Sequence, residues 1–131
     1  MNQSIDQRIC NIQISVKSTF LPAESSTPNG PFRYKYDITI TNHLPHPVQL
    51  IKRHWKIEHV LLGNAEVEGD GVIGLTPKIE PKQSFDYSSF TELYMPYGQM
   101  SGHYLFKDLL KGDEFSVEIP TFFLTYPILL N

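Results

Sequence analysis

The chain has 131 residues, a formal net charge of −3 and one cysteine, enough for one domain whose core needs no covalent staple. Acids and bases are mixed with no basic block, which argues against nucleic acid as partner, and the lone Cys10 excludes an intramolecular disulfide or a paired-cysteine zinc site. The opening MNQSIDQRIC has no apolar signal core and no run approaches ~18 apolar residues, so a cytoplasmic protein that does not span a membrane is expected.

Ten prolines and eight glycines interrupt a chain rich in aromatic and β-branched residues, a composition suited to short strands and poorly suited to long helices. Residues 1–8 read as a loose tail to a single domain spanning 1–131. Ile12, Ile14 and Val16 then alternate with Gln13, Ser15 and Lys17, which predicts a half-buried strand. Pro22 to Pro31 is a turn-rich loop with no apolar pattern, the best candidate for a mobile segment. From Phe32 to Asn42 the even positions Phe32, Tyr34, Tyr36, Ile38 and Ile40 are apolar, the clearest strand of the chain. His43 to Pro47 must be loop, because each Pro removes a donor and restricts its predecessor.

The stretch Gln49 to Tyr87 holds the only Trp. Val48 and Leu50 keep the even phase, but Trp55 and Ile57 are odd. A bulge or bend between Ile51 and His54 accounts for the slip and re-aims Arg53, His54 and Trp55. A hairpin turn at 62–65 leads to a short return strand, GDGVIG breaks the pattern at 69–74, and residues 75–79 suit an edge strand. Phe85, Tyr87 and Ser89 open another strand, Tyr94 to Gly98 turns, and Met100, Tyr104 and Phe106 resume alternation. After a connector at 107–112, possible as one helical turn, Phe115, Val117 and Ile119 begin a last strand that bends at Pro120. Seven or eight short strands with frequent turns indicate an all-β antiparallel sandwich. Phe85 or Tyr87 is a candidate for a tyrosine corner.

Several motifs invite chemistry. Gly69, Gly71 and Gly74 satisfy G-x-G-x-x-G, which in a dinucleotide fold brings backbone close to a pyrophosphate at a helix N-terminus. Here Thr76-Pro77 follows instead of a helix, and Glu66, Glu68 and Asp70 add negative charge, so a turn or bulge is the plainer reading. Five histidines show no recognised ligand spacing. Arg53, His54 and Trp55 form either a core Trp with solvent-facing neighbours or a binding patch. Ser88, Ser89, Thr91 and His103 suggest a nucleophile and base, but no nucleophile elbow is present. Tyr94, Tyr97 and Met100 offer an apolar turn at one end of the sandwich.

QLIKRHWKI, EVEGDGVIGLTPKIEP, the Phe85-x-Tyr87 pair and GQMSGHYLF resemble the ApaG family. So does the closing pattern of Phe115, Val117, Ile119, Pro120, Phe122, Leu124 and Pro127, and the likeness runs from about Ile12 to Leu130. The resemblance implies an immunoglobulin/fibronectin type III-like sandwich and a small bacterial protein. The family is named for a gene neighbourhood shared with a diadenosine-tetraphosphate hydrolase, and is often labelled with cobalt and magnesium efflux. It has no agreed enzymatic activity, and its eukaryotic domains look like protein-interaction modules. This chain departs from the pattern at Lys82 and Phe90, where the family tends to have Gly.

The expectation is therefore a non-enzymatic binding module with no cofactor and no metal site. Its partner would be another protein or a second copy of the chain, met through Trp55, Tyr94, Tyr97 and Met100. The alternative is a binder of a dinucleotide polyphosphate or divalent metal through Gly69, Gly71, Gly74, Arg53 and His54.

Overall fold

A computed structural model describes residues 6–26, 30–59 and 63–127. The alternating segments become eight strands: β1 (Ile12–Phe20), β2 (Phe32–Asn42), β3 (Val48–His59), β4 (Gly63–Asp70), β5 (Lys78–Ile79), β6 (Ser84–Leu93), β7 (Tyr97–Asp108) and β8 (Glu114–Thr125). One sheet has the order β1-β2-β6. The other runs β4-β3-β7-β8, with β5 also paired to β3. Every pairing is antiparallel. This is the expected all-β, immunoglobulin/fibronectin-like sandwich. The predicted turn at 62–65 lies partly outside the described residues, since β4 begins at Gly63.

Strand β2 shows why the sheets close on one another. Phe32, Tyr34, Tyr36, Ile38 and Ile40 all face inward and are buried. Each such side chain contributes roughly 1.5–3 kcal/mol when removed from water. Across the core, β3 supplies Val48, Leu50 and Trp55. The register of β3 against β7 shifts between Leu50 and Lys52, so Ile51 is the extra residue of a bulge and the phase slip read from the sequence has this cause. Trp55 then packs edge-on against Tyr36, Tyr104 and Phe122, with ring centroids 5.5, 6.3 and 5.9 Å away. A second register shift opposite Met100 and Gly102 places a bulge at Pro120 and Thr121 of β8, where the bend was expected.

Three connections are held by polar groups. Asn42 is fully buried. Its amide donates to the carbonyls of His46 (3.0 Å) and Ile79 (2.9 Å), and its Oδ1 accepts from the Leu44 amide (2.9 Å). Ser25 joins the start of the 22–31 loop to β2: its hydroxyl donates to Leu21 O and accepts from the Arg33 amide. Asp108, also fully buried, ends β7. It accepts from the amides of Leu110 and Lys111 (both 2.9 Å), from Arg8 (2.9 Å) and from His46 (3.0 Å). Gly112 N donates to Asp108 O, closing the single turn expected at 107–112.

Two expectations need correction. Of the tail expected at 1–8, residues 1–5 lie outside the described residues, but Asp6 and Arg8 are held in place: Arg8 pairs with Asp6, Asp108 and Asp113 at 2.7–2.9 Å and lies over the Phe115 ring. The tyrosine-corner reading also fails. Phe85 has no hydroxyl, and the Tyr87 hydroxyl crosses to the opposite sheet, where it hydrogen-bonds the Tyr104 hydroxyl.

Candidate functional site

The glycine segment is a built turn. Gly71 N donates to Ile51 O, the carbonyl released by the bulge, at 2.7 Å. Val72 and Leu75 exchange two hydrogen bonds of 2.8 Å across the tip. Both tip residues have positive φ, Ile73 at 45° and Gly74 at 78°. Gly71 has φ 59°, and a Cβ there would collide with the Leu75 carbonyl. The amides of Gly71, Val72 and Leu75 therefore serve the fold, which is the plainer of the two readings of these glycines.

Arg53 staples the same segment. Its Nη1 donates to the carbonyls of Asp70 (3.1 Å) and Gly71 (3.0 Å). The guanidinium lies against Gly69, where a Cβ would come within 2.8 Å of it. The bulge puts Arg53 on the Trp55 side of β3. From there its charge acts on the hydroxyls of Tyr36, Tyr87 and Tyr104, all of which burial pushes above the usual phenol range.

His54 faces the other way. Its ring stacks on His103 with centroids 4.9 Å apart and planes 9° from parallel. Glu68 accepts a hydrogen bond from His54 Nδ1 at 2.7 Å, and Glu66 lies 3.9 Å from Nε2. Lys52, Glu68, Asp70 and His103 complete with His54 a depression of about 460 Å³. The site thus joins Gly69, Arg53 and His54 along one strand pair but carries charges of both signs.

The apolar end is divided by burial. Trp55 and Met100 are 3% and 1% exposed, so they belong to the core rather than to the exposed aromatic end. The side-chain alternation of β3 and β7 turns both inward. Tyr94 and Tyr97 are 62% and 41% exposed. Phe123, absent from the sequence reading, is 67% exposed and shares a depression with Tyr97. Without the bulge at Pro120 and Thr121 it would share the inward face of Ile119. Glu58, His59, Tyr97, Gln99 and Phe123 line a depression of about 370 Å³. His59 Nε2 there is buried with no hydrogen-bond partner among the described residues.

The nucleophile–base reading has no geometry behind it. The Ser88 hydroxyl donates to Asp37 within the first sheet, whereas His103 stacks on His54 on the second. Among the described residues no three His, Cys, Asp or Glu side chains converge on a metal position. Also among them, no helix is long and apolar enough to cross a membrane.

Comparison with known proteins gives a consistent result. The family model of the ApaG domain matches residues 22–108. A protein from Bdellovibrio bacteriovorus called Protein ApaG is 43% identical over 123 residues, covering 94% of this chain and 96% of its own. Protein ApaG of Salmonella arizonae is 37% identical over 124 residues, covering 95% and 96%. Among solved structures, the putative ApaA protein from Bordetella pertussis superposes with a TM-score of 0.84 at 34% identity, covering 88% of this chain and 94% of that one. The X-ray structure of a structural-genomics target gives a TM-score of 0.86 at 34% identity, covering 94% and 92%.

Proposed function

The chain belongs to the ApaG family, and on that premise we propose that it is a non-enzymatic binding module that engages a protein partner through the aromatic end of its sandwich. The observation that carries this reading is the exposure of Tyr97 and Phe123 at one depression, with Tyr94 exposed in the turn before β7. Large aromatic side chains left in water at the rim of a concave surface favour a contact that would cover them. Tyr97 and Phe123 lie on neighbouring strands, with Tyr97 opposite Thr125 and Phe123 opposite Gln99, so rigid elements position both. The family association with cobalt and magnesium homeostasis would then run through the partner.

The test is a Tyr97→Ser/Phe123→Ser double variant. Both side chains are exposed, so its melting temperature should stay within a few degrees of the parent. Immobilised parent protein should retain a reproducible partner that the double variant loses. Equal retention by both proteins would remove this end as the contact surface.

A second reading rests on the depression at Lys52, His54 and His103. The Lys52 ammonium and the two imidazoles, which line it together with Gly69, favour an anionic small ligand such as a dinucleotide polyphosphate, alone or with a divalent ion; Glu68 and Asp70 oppose it. Calorimetric titration with diadenosine tetraphosphate, with and without Mg²⁺ or Co²⁺, tests it. Lys52→Glu is the informative variant, because a side chain at Gly71 would break the turn itself. Saturable heat abolished by Lys52→Glu would favour the ligand, and no heat with either ion would dismiss it.

A further inference from the structure

The two sheets meet along one side, where β1 and β8 pack together and Ser18 Oγ lies 3.4 Å from Phe123 O. On the opposite side the sandwich ends in β4 and β6, the last strands of their sheets. Between them is a cleft of about 200 Å³ whose walls include Tyr36, Arg53, Trp55, Ile57, Val67 and Phe90. Val67 is 43% and Phe90 64% exposed. Strand β4 pairs with β3 over Gly63 to Asp70, and no described strand lies on its other side. Its sequence lacks Lys and Pro, the residues that commonly guard such edges, and its pairing to β3 has no bulge.

The side chains of β4 specify what can pair there. Glu66, Glu68 and Asp70 share one face with Asn64. The Glu66 and Glu68 side chains are 60% and 76% exposed. Val67 shares the other face with Ala65 and Gly69, toward the cleft. An added strand hydrogen-bonds through its backbone and sends alternate side chains to the two faces. Positions on the first face meet carboxylates, and those on the second meet Val67 and the apolar cleft. Like charges directly opposite are destabilising, which disfavours a second copy. A two-fold β4–β4 pairing about Val67 sets Glu66 against Glu68, and pairing with β6 brings in Asp86 and Glu92.

We infer that β4 is a docking edge for an extended segment of a partner protein in which Lys or Arg alternates with apolar residues. The inference shares with the aromatic-end reading the idea of a binding module but is centred on a different edge; Glu68 and Asp70 also wall the depression beside Lys52 and His54. The probe is an N-acetylated, C-amidated nonapeptide of alternating lysine and valine, compared with glutamate–valine and lysine–glycine versions, measured by fluorescence anisotropy. The expected result is one-to-one saturable binding of the lysine–valine peptide. The lysine–glycine peptide should bind more weakly and the glutamate–valine peptide should not bind. Reversing the charges with Glu66→Lys/Glu68→Lys should weaken binding by at least about tenfold. Both residues are exposed, so thermal melts should show the variant folded. Amides of β4 should gain hydrogen-exchange protection on binding.

The inference fails if the lysine–valine peptide does not saturate, if affinity survives the charge reversal, or if protection appears elsewhere while β4 is unchanged. Tyr97→Ser/Phe123→Ser should leave peptide binding intact. That variant therefore separates failure at this edge from failure at the aromatic end.

Discussion

Lys82 carries a backbone conformation meant for another residue. Its φ is 66°, and Gln83 N donates to Glu80 O at 3.0 Å. With Pro81 in second place and positive φ in third, residues 80–83 form a type II turn, whose third position favours Gly. This is one of the two places where the chain departs from the ApaG pattern, and the turn geometry survives the departure. A side chain in the left-handed region costs about 1–2 kcal/mol, and Gly returns part of that as unfolded-chain entropy. Lys82→Gly should therefore stabilise the protein by up to about 1 kcal/mol in denaturant titrations. A loss of stability would mean that the lysine side chain makes a contact outweighing the strain. Phe90, the other departure, is exposed on β6 and walls the cleft beside β4.

The end of β7 depends on one carboxylate. Burial alone would raise the Asp108 pKa. The amides of Lys111 and Leu110, the Arg8 guanidinium and the His46 ring outweigh burial and hold it well below the usual carboxylate range. Asp6 and Asp113, each hydrogen-bonded to Arg8, shift in the same direction. A depressed folded-state pKa adds stability that is present above the unfolded value of roughly 4 and is lost as pH falls through the folded value. Parent stability should accordingly decline steadily below about pH 4. Asp108→Asn cannot replace the charge beside Arg8 and should cost about 2–4 kcal/mol at pH 7. Its stability should also depend less on pH in that acid range. A parallel pH profile for the two proteins would show that Asp108 is not the titrating group.

At the scale of the whole molecule, the Tyr87–Tyr104 hydroxyl pair links the two sheets through the core. Burial is the main reason that both phenols ionise above their ordinary range. Changing either residue to Phe strands one buried hydroxyl and should cost about 1–3 kcal/mol, whereas changing both removes the unsatisfied group. The double variant should then be more stable than the sum of the single losses implies, with a coupling of about 1 kcal/mol or more in a double-mutant cycle. Additive losses would mean that the hydroxyls do not interact. Tyr34 offers a contrast: its buried hydroxyl has no partner among the described residues, and burial pushes its pKa up to about 12.

Local periodicity carried much of this protein. Alternation from Phe32 to Ile40 marked β2, the phase slip after Leu50 located the bulge, and Pro120 announced the bend in β8. These are properties of neighbouring residues, and a strand's period of two writes them directly into the chain. The long-range partners were not legible. His103 stacks on His54 because of the β3–β7 register. Arg8 reaches Asp108 across a hundred residues of chain. Trp55, open in the sequence to a core or a surface role, and Met100 are core, and Phe123, which the sequence did not single out, is exposed. Whether a side chain faces water or the opposite sheet depends on bulges that shift its phase and on which strands close against each other, and only the assembled sandwich decides both.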